Sequence, residues 1–156
     1  MRFSETFAQP YIIKPVDAEA GIDGDSVNMG KVHSIAYKFL FGAVTGDAVL
    51  KFYVGATEGT KTTAVAFKTR LSSADQAAAA SDQFGVFTDV ASTGLTLTAA
   101  TYDNRQLMVE FDAQAIADGT PWLTPELSAA ASVLLVSCSA ECDTRAAGNI
   151  PLTVIK

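Results

Sequence analysis

The sequence predicts an all-β protein: an antiparallel β-sandwich, jelly-roll-like, of about eight strands with one short helix and extended termini. Three observations predict it. Apolar and polar residues alternate with a period of two through most of the 156 residues, the mark of strands with unlike faces. The alternating segments are separated by short connections rich in Gly, Asp, Asn and Thr, residues that turns favour. Hydrophobic residues make up 49% of the chain and mean hydropathy is +0.23, which excludes global disorder and gives one domain a core without disulfide staples.

The organising stretch is Val32–Ala56, VHSIAYKFLFGAVTGDAVLKFYVGA. In its first arm His33, Ile35, Tyr37, Phe39 and Phe41 share one face, and Ser34, Ala36, Lys38 and Leu40 the other. In its second arm Ala48, Leu50, Phe52, Val54 and Ala56 alternate with Val49, Lys51, Tyr53 and Gly55. Thr45-Gly46-Asp47 between them reads as a tight hairpin turn, with Gly46 taking positive φ at low cost. Each arm spans roughly 30 Å. Two strands are not stable alone, so the rest of the chain must cover the aromatic face.

Residues 1–10 read as an extended arm. Tyr11–Val16 reads as a strand that Pro15 confines to an edge or a strand end, and the acidic run Asp17–Asp25 as a loop. Thr62–Leu71 alternates again, with Thr63, Val65, Phe67 and Leu71 on one face, and is placed as a third strand beside the hairpin. In Ser72–Gln83, SSADQAAAASDQ, a serine cap, Asp75 and Gln76 in the first turn and a run of alanines predict one or two helical turns; a surface loop is the alternative. Phe84–Ser92 and Gly94–Thr101 read as strands. Tyr102-Asp103-Asn104-Arg105 reads as a turn in which Asn or Asp bonds locally or takes the left-handed conformation.

Gln106–Ala113 is the returning strand, with Leu107, Val109 and Phe111 facing in. Gln114–Leu127, punctuated by Pro121 and Pro125, reads as irregular, with Trp122 anchoring it to the core edge. Ser128–Glu141 is the last strong strand, apolar on both faces at its centre. The expected core is Ile35, Tyr37, Phe39, Phe41, Leu50, Phe52, Val54, Phe67, Leu97, Val109, Phe111 and Leu135. The expected organisation is an N-terminal arm, edge strand and loop at 1–25, a sandwich domain at 26–141 and a tail at 142–156.

The net charge of −6 is uneven. Residues 1–78 hold 8 basic and 8 acidic side chains, and residues 79–156 hold 3 and 9. Without a basic patch, neither nucleic acid nor an anionic membrane is an expected partner. MRFSETFAQP lacks the apolar core of a secretory signal, and the longest apolar run, near Ala129–Val136, is too short to span a bilayer; synthesis in the cytoplasm is expected. Cys138 and Cys142 are the only cysteines. On one strand their Cα atoms lie about 13 Å apart, beyond disulfide reach, so both are expected as free thiols.

Chemistry is sparse in the sequence. The one histidine, His33, lies on the aromatic face of a strand and is read as packed or hydrogen-bonded rather than catalytic. Cys138, Cys142 and His33 lack zinc-knuckle spacing. Asp23-Gly24-Asp25-Ser26 resembles a fragment of a calcium loop but is read as a turn, because the later ligands are missing. Glu110 and Asp112 project from one strand face; an acid–base pair is weighed against a solvated face, and the solvated face is preferred. No catalytic residue, metal or cofactor is assigned and no enzyme is expected. The residues alone imply a β-sandwich that acts through surfaces.

Four blocks taken in order resemble small proteins encoded beside the capsid genes of tailed bacteriophages: FLFGAVTGDAVLKFYVGAT (Phe39–Thr57), TKTTAVAFKTRLS (Thr60–Ser72), LTLTAATYDNRQLMVEFDA (Leu95–Ala113) and DGTPWLTPELS (Asp118–Ser128). The resemblance covers residues 30–136. Members of that group with an assigned role look like capsid decoration, or cement, proteins. The resemblance implies a homotrimeric β-sandwich on the capsid exterior, made in the host bacterial cytoplasm, whose partner is the major capsid protein. It carries over no catalytic residue, and Cys142-Asp143-Thr144-Arg145 departs from the pattern. Phe3, Phe7 and Tyr11 in the N-terminal arm are the expected capsid contacts, since a free tail has no reason to hold aromatics in water. A head–tail joining or tail protein is the second expectation. A lectin-like host-surface module using Tyr11, Tyr53, Tyr102 and Trp122 is the third.

Overall fold

The computed structural model describes residues 7–145 and 154–155. In chain order the strands are β1 (Phe7–Ala8), β2 (Tyr11–Asp17), β3 (Ile22–Asp23), β4 (Val27–Asn28), β5 (Val32–Val44), β6 (Ala48–Gly55), β7 (Thr63–Val65) and β8 (Phe67–Leu71). They continue with β9 (Thr88–Val90), β10 (Leu95–Leu97), β11 (Gln106–Asp112), β12 (Trp122–Leu127) and β13 (Leu134–Thr144), and one helical turn, α1 (Ala99–Tyr102), precedes β11. They form two antiparallel sheets. The first has the order β1-β13-β5-β11-β8-β9, with β2 sharing the β13 edge that β1 occupies. The second has the order β10-β6-β12-β3, with β7 on β6 and β4 on β12. The protein is therefore an all-β sandwich. It has more strands than the sequence implies because several are pieces of two or three residues.

The aromatic arms are not a hairpin. β5 pairs with β13 and β11, whereas β6 pairs with β12, β10 and β7. Thr45-Gly46-Asp47 carries the chain from one sheet to the other, and the two aromatic faces meet across the core. Side by side, the faces would both need a separate cover; opposed, each covers the other. Phe52 is the centre of the contact, with ring centroids 5.0 Å from Tyr37, 5.1 Å from Phe67 and 4.9 Å from Phe111. Gly46 is required for room rather than for positive φ. A Cβ there would lie 2.3 Å from the Ala130 carbonyl oxygen and 2.8 Å from Ser132 Cβ.

Other segments also depart from the local pattern. Thr62–Leu71 is split at Ala66: β7 belongs to the second sheet and β8 to the first. Ser72–Gln83 forms turns, not a helix. The Asp75 carboxylate does accept the Ala77 and Ala78 N–H groups at 2.9 and 3.1 Å, but Ala80 has φ of 70°, which breaks any helical path. The helical turn occurs instead within the expected strand Gly94–Thr101, where α1 brings Tyr102 6.0 Å from the Phe41 ring. Of Phe84–Ser92 only Thr88–Val90 is a strand. The turn at 102–105 forms with Asn104 at φ 51°, and the Asp103 carboxylate accepts the Val44 N–H at 2.9 Å.

Gln114–Leu127 is not irregular: its second half, β12, is a central strand despite Pro125. Successive edges explain the tolerance. The Pro125 carbonyl accepts the Gly24 N–H at 2.9 Å, so its nitrogen points toward the β3–β4 side, where residues 24–26 interrupt the ladder. The buried Ser26 hydroxyl fills that interruption, 2.7 Å from the Thr124 hydroxyl, and accepts the Gly59 N–H at 2.9 Å. β13 runs past residue 141 to Thr144. Beyond it Val154 is buried, its carbonyl accepting the Asn28 N–H at 2.9 Å.

Ile35, Tyr37, Phe39, Phe41, Leu50, Phe52, Val54, Phe67, Leu97, Val109 and Phe111 are all buried. Leu135 is not: it is 41% exposed, and Leu134 and Val136 point inward in its place. A strand apolar on both faces does not reveal which parity faces the core, and pairing with β5 selects the even residues. His33 is exposed rather than packed. A bulge between Ser34 and Val32 shifts the parity, so Val32 enters the core beside Ile35.

The core contains one buried side-chain oxygen without a partner among the described residues, the Tyr37 hydroxyl. Leaving such a group unpaired costs about 1–3 kcal/mol. Tyr37→Phe is expected to raise stability by about 1 kcal/mol, whereas Phe52→Ala should lower it by about 3–5 kcal/mol. Urea melts of both variants check this, and a loss below about 1 kcal/mol for Phe52→Ala contradicts its central place.

Candidate interaction surface

The outer face of the first sheet is built from residues of opposite parity to the core. On β5 these are Ser34, Ala36, Lys38, Leu40 and Gly42; on β13 they are Leu135, Ser137, Ser139, Glu141 and Asp143. Registers with β2 and β11 arrange them in cross-strand rows of unlike character at the two ends of the sheet.

At one end the rows are apolar. Leu40 lies opposite Ser137, and Leu135 lies over Gly42, where a Cβ would come within 3.1 Å of the Leu135 Cβ. Pro15 on β2 continues the surface, Val16, paired with the inward Val136, borders the same cleft at the sheet edge, and Tyr11, 63% exposed, ends it. Val16, Leu40 and Leu135 are 39–41% exposed. A shallow cleft of about 440 Å³ runs between Val16, Leu40 and Leu135, and a second of about 270 Å³ between Tyr11, Lys38 and Ser139.

At the other end the rows are acidic around small residues. Glu110 and Glu141 flank Ala36, and Asp112 and Asp143 flank Ser34. The short side chains on β5 leave a groove of about 630 Å³, bordered by Phe7, Phe87, Ala66 and Ala115, with the buried Phe67 and Phe111 beneath its floor. Phe87 is held by Arg70, whose guanidinium lies 5.0 Å from its ring centroid and whose Nε donates to the Gly85 carbonyl at 2.8 Å. Lys68, on the same groove, lies 3.6 Å from Asp89.

Of the expected capsid contacts, Phe7 lies in β1 and lines this groove, Tyr11 begins β2, and Phe3 lies outside the described residues. Glu110 and Asp112 do share a face, joined there by Glu141 from a strand far along the chain. The lectin-candidate aromatics do not converge: Tyr102 is buried against Phe41, Tyr53 and Trp122 lie on the second sheet, and Tyr11 lies on the first. The Asp23 carboxylate is paired with the Lys61 ammonium at 2.8 Å, which also contacts Glu126 at 2.5 Å; the Asp23–Ser26 segment is not the expected turn but an extended stretch that runs along β12 from β3 to β4. Among the described residues no three His, Cys, Asp or Glu side chains converge on a metal-sized site, and no helix is long and apolar enough to cross a membrane. Sequence reading did not single out Leu40 or Phe87. Leu40 was detectable as the one large apolar residue on the polar face of its strand.

The thiols lie on the opposite, inner face of β13. Cys138 and Cys142 are free and buried. Burial pushes the Cys138 thiol well up, partly countered by a hydrogen bond from the Lys38 backbone, and pushes Cys142 from 9.0 to about 12. The thiols therefore stay protonated in the folded chain while the unfolded chain ionises. Their contribution to stability is whole below pH 9 and is lost as pH rises from 9 toward the folded values, about 12 for Cys142. The expected slope is about 1.4 kcal/mol per pH unit for each thiol ionised only when unfolded. Urea midpoints from pH 8 to 11 check this against Cys138→Ala/Cys142→Ala, whose stability should fall less steeply.

The fold and this face define a two-sheet antiparallel β-sandwich that presents an apolar strip and an acidic groove on one sheet. The fold is similar to that in the crystal structure of the SPBc2 prophage-derived protein YomS, with a TM-score of 0.45 and 15% sequence identity, over 86% of this chain and 94% of that one. No family model and no curated protein matches the sequence.

Proposed function

We propose that this chain is a structural virion protein that decorates and stabilises a bacteriophage capsid by bridging neighbouring major capsid protein subunits. The four sequence blocks that resemble phage capsid-module proteins support the phage context. The apolar strip of Tyr11, Pro15, Val16, Leu40 and Leu135 is the observation that carries a docking role. Exposed apolar side chains grouped on a rigid sheet favour burial against another protein. In this reading the strip seats on a capsid subunit, Phe3 and Phe7 add to the contact near the start of the chain, and three copies assemble on the outside of the shell.

The test uses expanded shells that lack the protein. Leu40→Asp and Leu135→Asp place charges in the strip, and because both positions are exposed the domain should keep its melting temperature. Shell binding should fall by at least about tenfold for each, as expected for a charge forced into an apolar contact. Gel densitometry of purified particles should give hundreds of copies, against about a dozen for a connector or receptor binder. Wild-type protein that does not bind shells at all moves the head–tail joining reading ahead of this one.

A further inference from the structure

The groove lies at the acidic end of the sheet, away from the apolar strip, and its chemistry selects a different kind of segment. We infer that it takes an extended peptide segment of a partner protein in which Lys or Arg alternates with apolar side chains. Two features lead there. The Phe7 and Phe87 rings and the small residues Ala36, Ala66 and Ala115 border it, and the volume of about 630 Å³ is within the range of specific binding sites. The rim is acidic: Glu110 and Glu141 face each other across Ala36, and neither has a hydrogen-bond or ion-pair partner among the described residues. Among the described residues the Asp112 carboxylate accepts the Gln114 N–H, at 2.9 Å, and no other donor. Among the described residues that line the groove the cation is Lys68, which lies cross-strand from both Glu110 and Asp89, its ammonium 3.6 Å from the Asp89 carboxylate.

Glu110 on β11 and Glu141 on β13 carry like charges one strand apart, across Ala36 on β5, so their mutual repulsion is a modest cost. A cation between the rows removes the cost and gains charge-assisted hydrogen bonds. The aromatic walls distinguish among cations. Phe87 is 48% exposed, and Arg70 already occupies one position 5.0 Å from its ring, so the groove-facing part of the ring is left for the stem of an incoming basic side chain. A segment that is only basic leaves the walls wet, and one that is only apolar leaves the carboxylates unmatched. Along an extended strand lying in the groove, the apolar side chains face the floor, and the basic ones on the other side reach the rim carboxylates with their long stems.

This inference deepens the docking role proposed above by naming the chemistry of one contact, and it is tested without shells. Fluorescence anisotropy of labelled KLRVKLR against the full-length protein should show saturable binding that weakens but persists between 50 and 500 mM salt. Glu110→Gln/Glu141→Gln should weaken it by at least about fivefold, and Phe87→Ala by about fivefold. Asp47→Asn/Asp82→Asn, which removes two charges elsewhere, should change it by less than about twofold. Equal binding of KSRSKSR, unchanged binding by the two groove variants, absence of saturable binding, or displacement of the peptide by a second copy of the protein would each overturn the inference. If it is overturned while wild-type protein still binds shells, the decoration reading stands without it. If the peptide binds and shells do not, the reverse holds.

Discussion

The contact between Phe52 of one sheet and the rings of Tyr37, Phe67 and Phe111 in the other holds the two layers in a single arrangement. Those three partners come from β5, β8 and β11, neighbouring strands of the first sheet, so one ring from the second sheet registers three strands at once. Aromatic pairs at such spacing contribute about 0.5–1.5 kcal/mol each beyond the area they bury. They are also directional, with the Phe52–Phe67 pair near edge-to-face. The remaining topology follows. The chain must cross between sheets after β5, and again at Ala66, to bring those rings together.

Crossing between sheets explains features that local rules do not. Gly46 has no side chain because the crossing runs against residues 130–132. Pro125 is tolerated in a central strand because the neighbouring edge is broken opposite it, and the Ser26 and Thr124 hydroxyls satisfy each other in the gap. The unpaired Tyr37 hydroxyl is the residue of the same constraint. Its ring is needed beside Phe52, and the strand register leaves its oxygen among the apolar side chains of the core.

With the inner face committed to packing, the proposed contacts lie on the outer face of the first sheet. Its polarity is graded along the strands, apolar at the Leu40–Leu135 end and acidic around Ala36 and Ser34. The gradient is a cross-strand property. Glu110, Ala36 and Glu141 form one row because β11, β5 and β13 are neighbours. Small residues on the central strand make the depression, and their neighbours supply its chemistry. The same sheet thereby presents two ends of unlike character.

The sequence by itself determined the class of fold and most of the inward set. Strict alternation placed Tyr37, Phe39, Phe41, Leu50, Phe52, Val109 and Phe111, and the Tyr102–Arg105 turn and the separation of the thiols were also legible. This is possible because the direction of a side chain on a strand depends only on parity. Tertiary structure decided which strands pair, since a period of two is the same whichever neighbour supplies the hydrogen bonds. It placed β5 and β6 in different sheets, built β12 from a segment punctuated by prolines, and drew a helical turn from Gly94–Thr101. It also decided parity where the pattern is degenerate: Leu134 rather than Leu135 is buried, and one bulge turns His33 to solvent. The acidic groove was out of reach of sequence reading for the same reason, because its carboxylates lie tens of residues apart and become neighbours only through pairing.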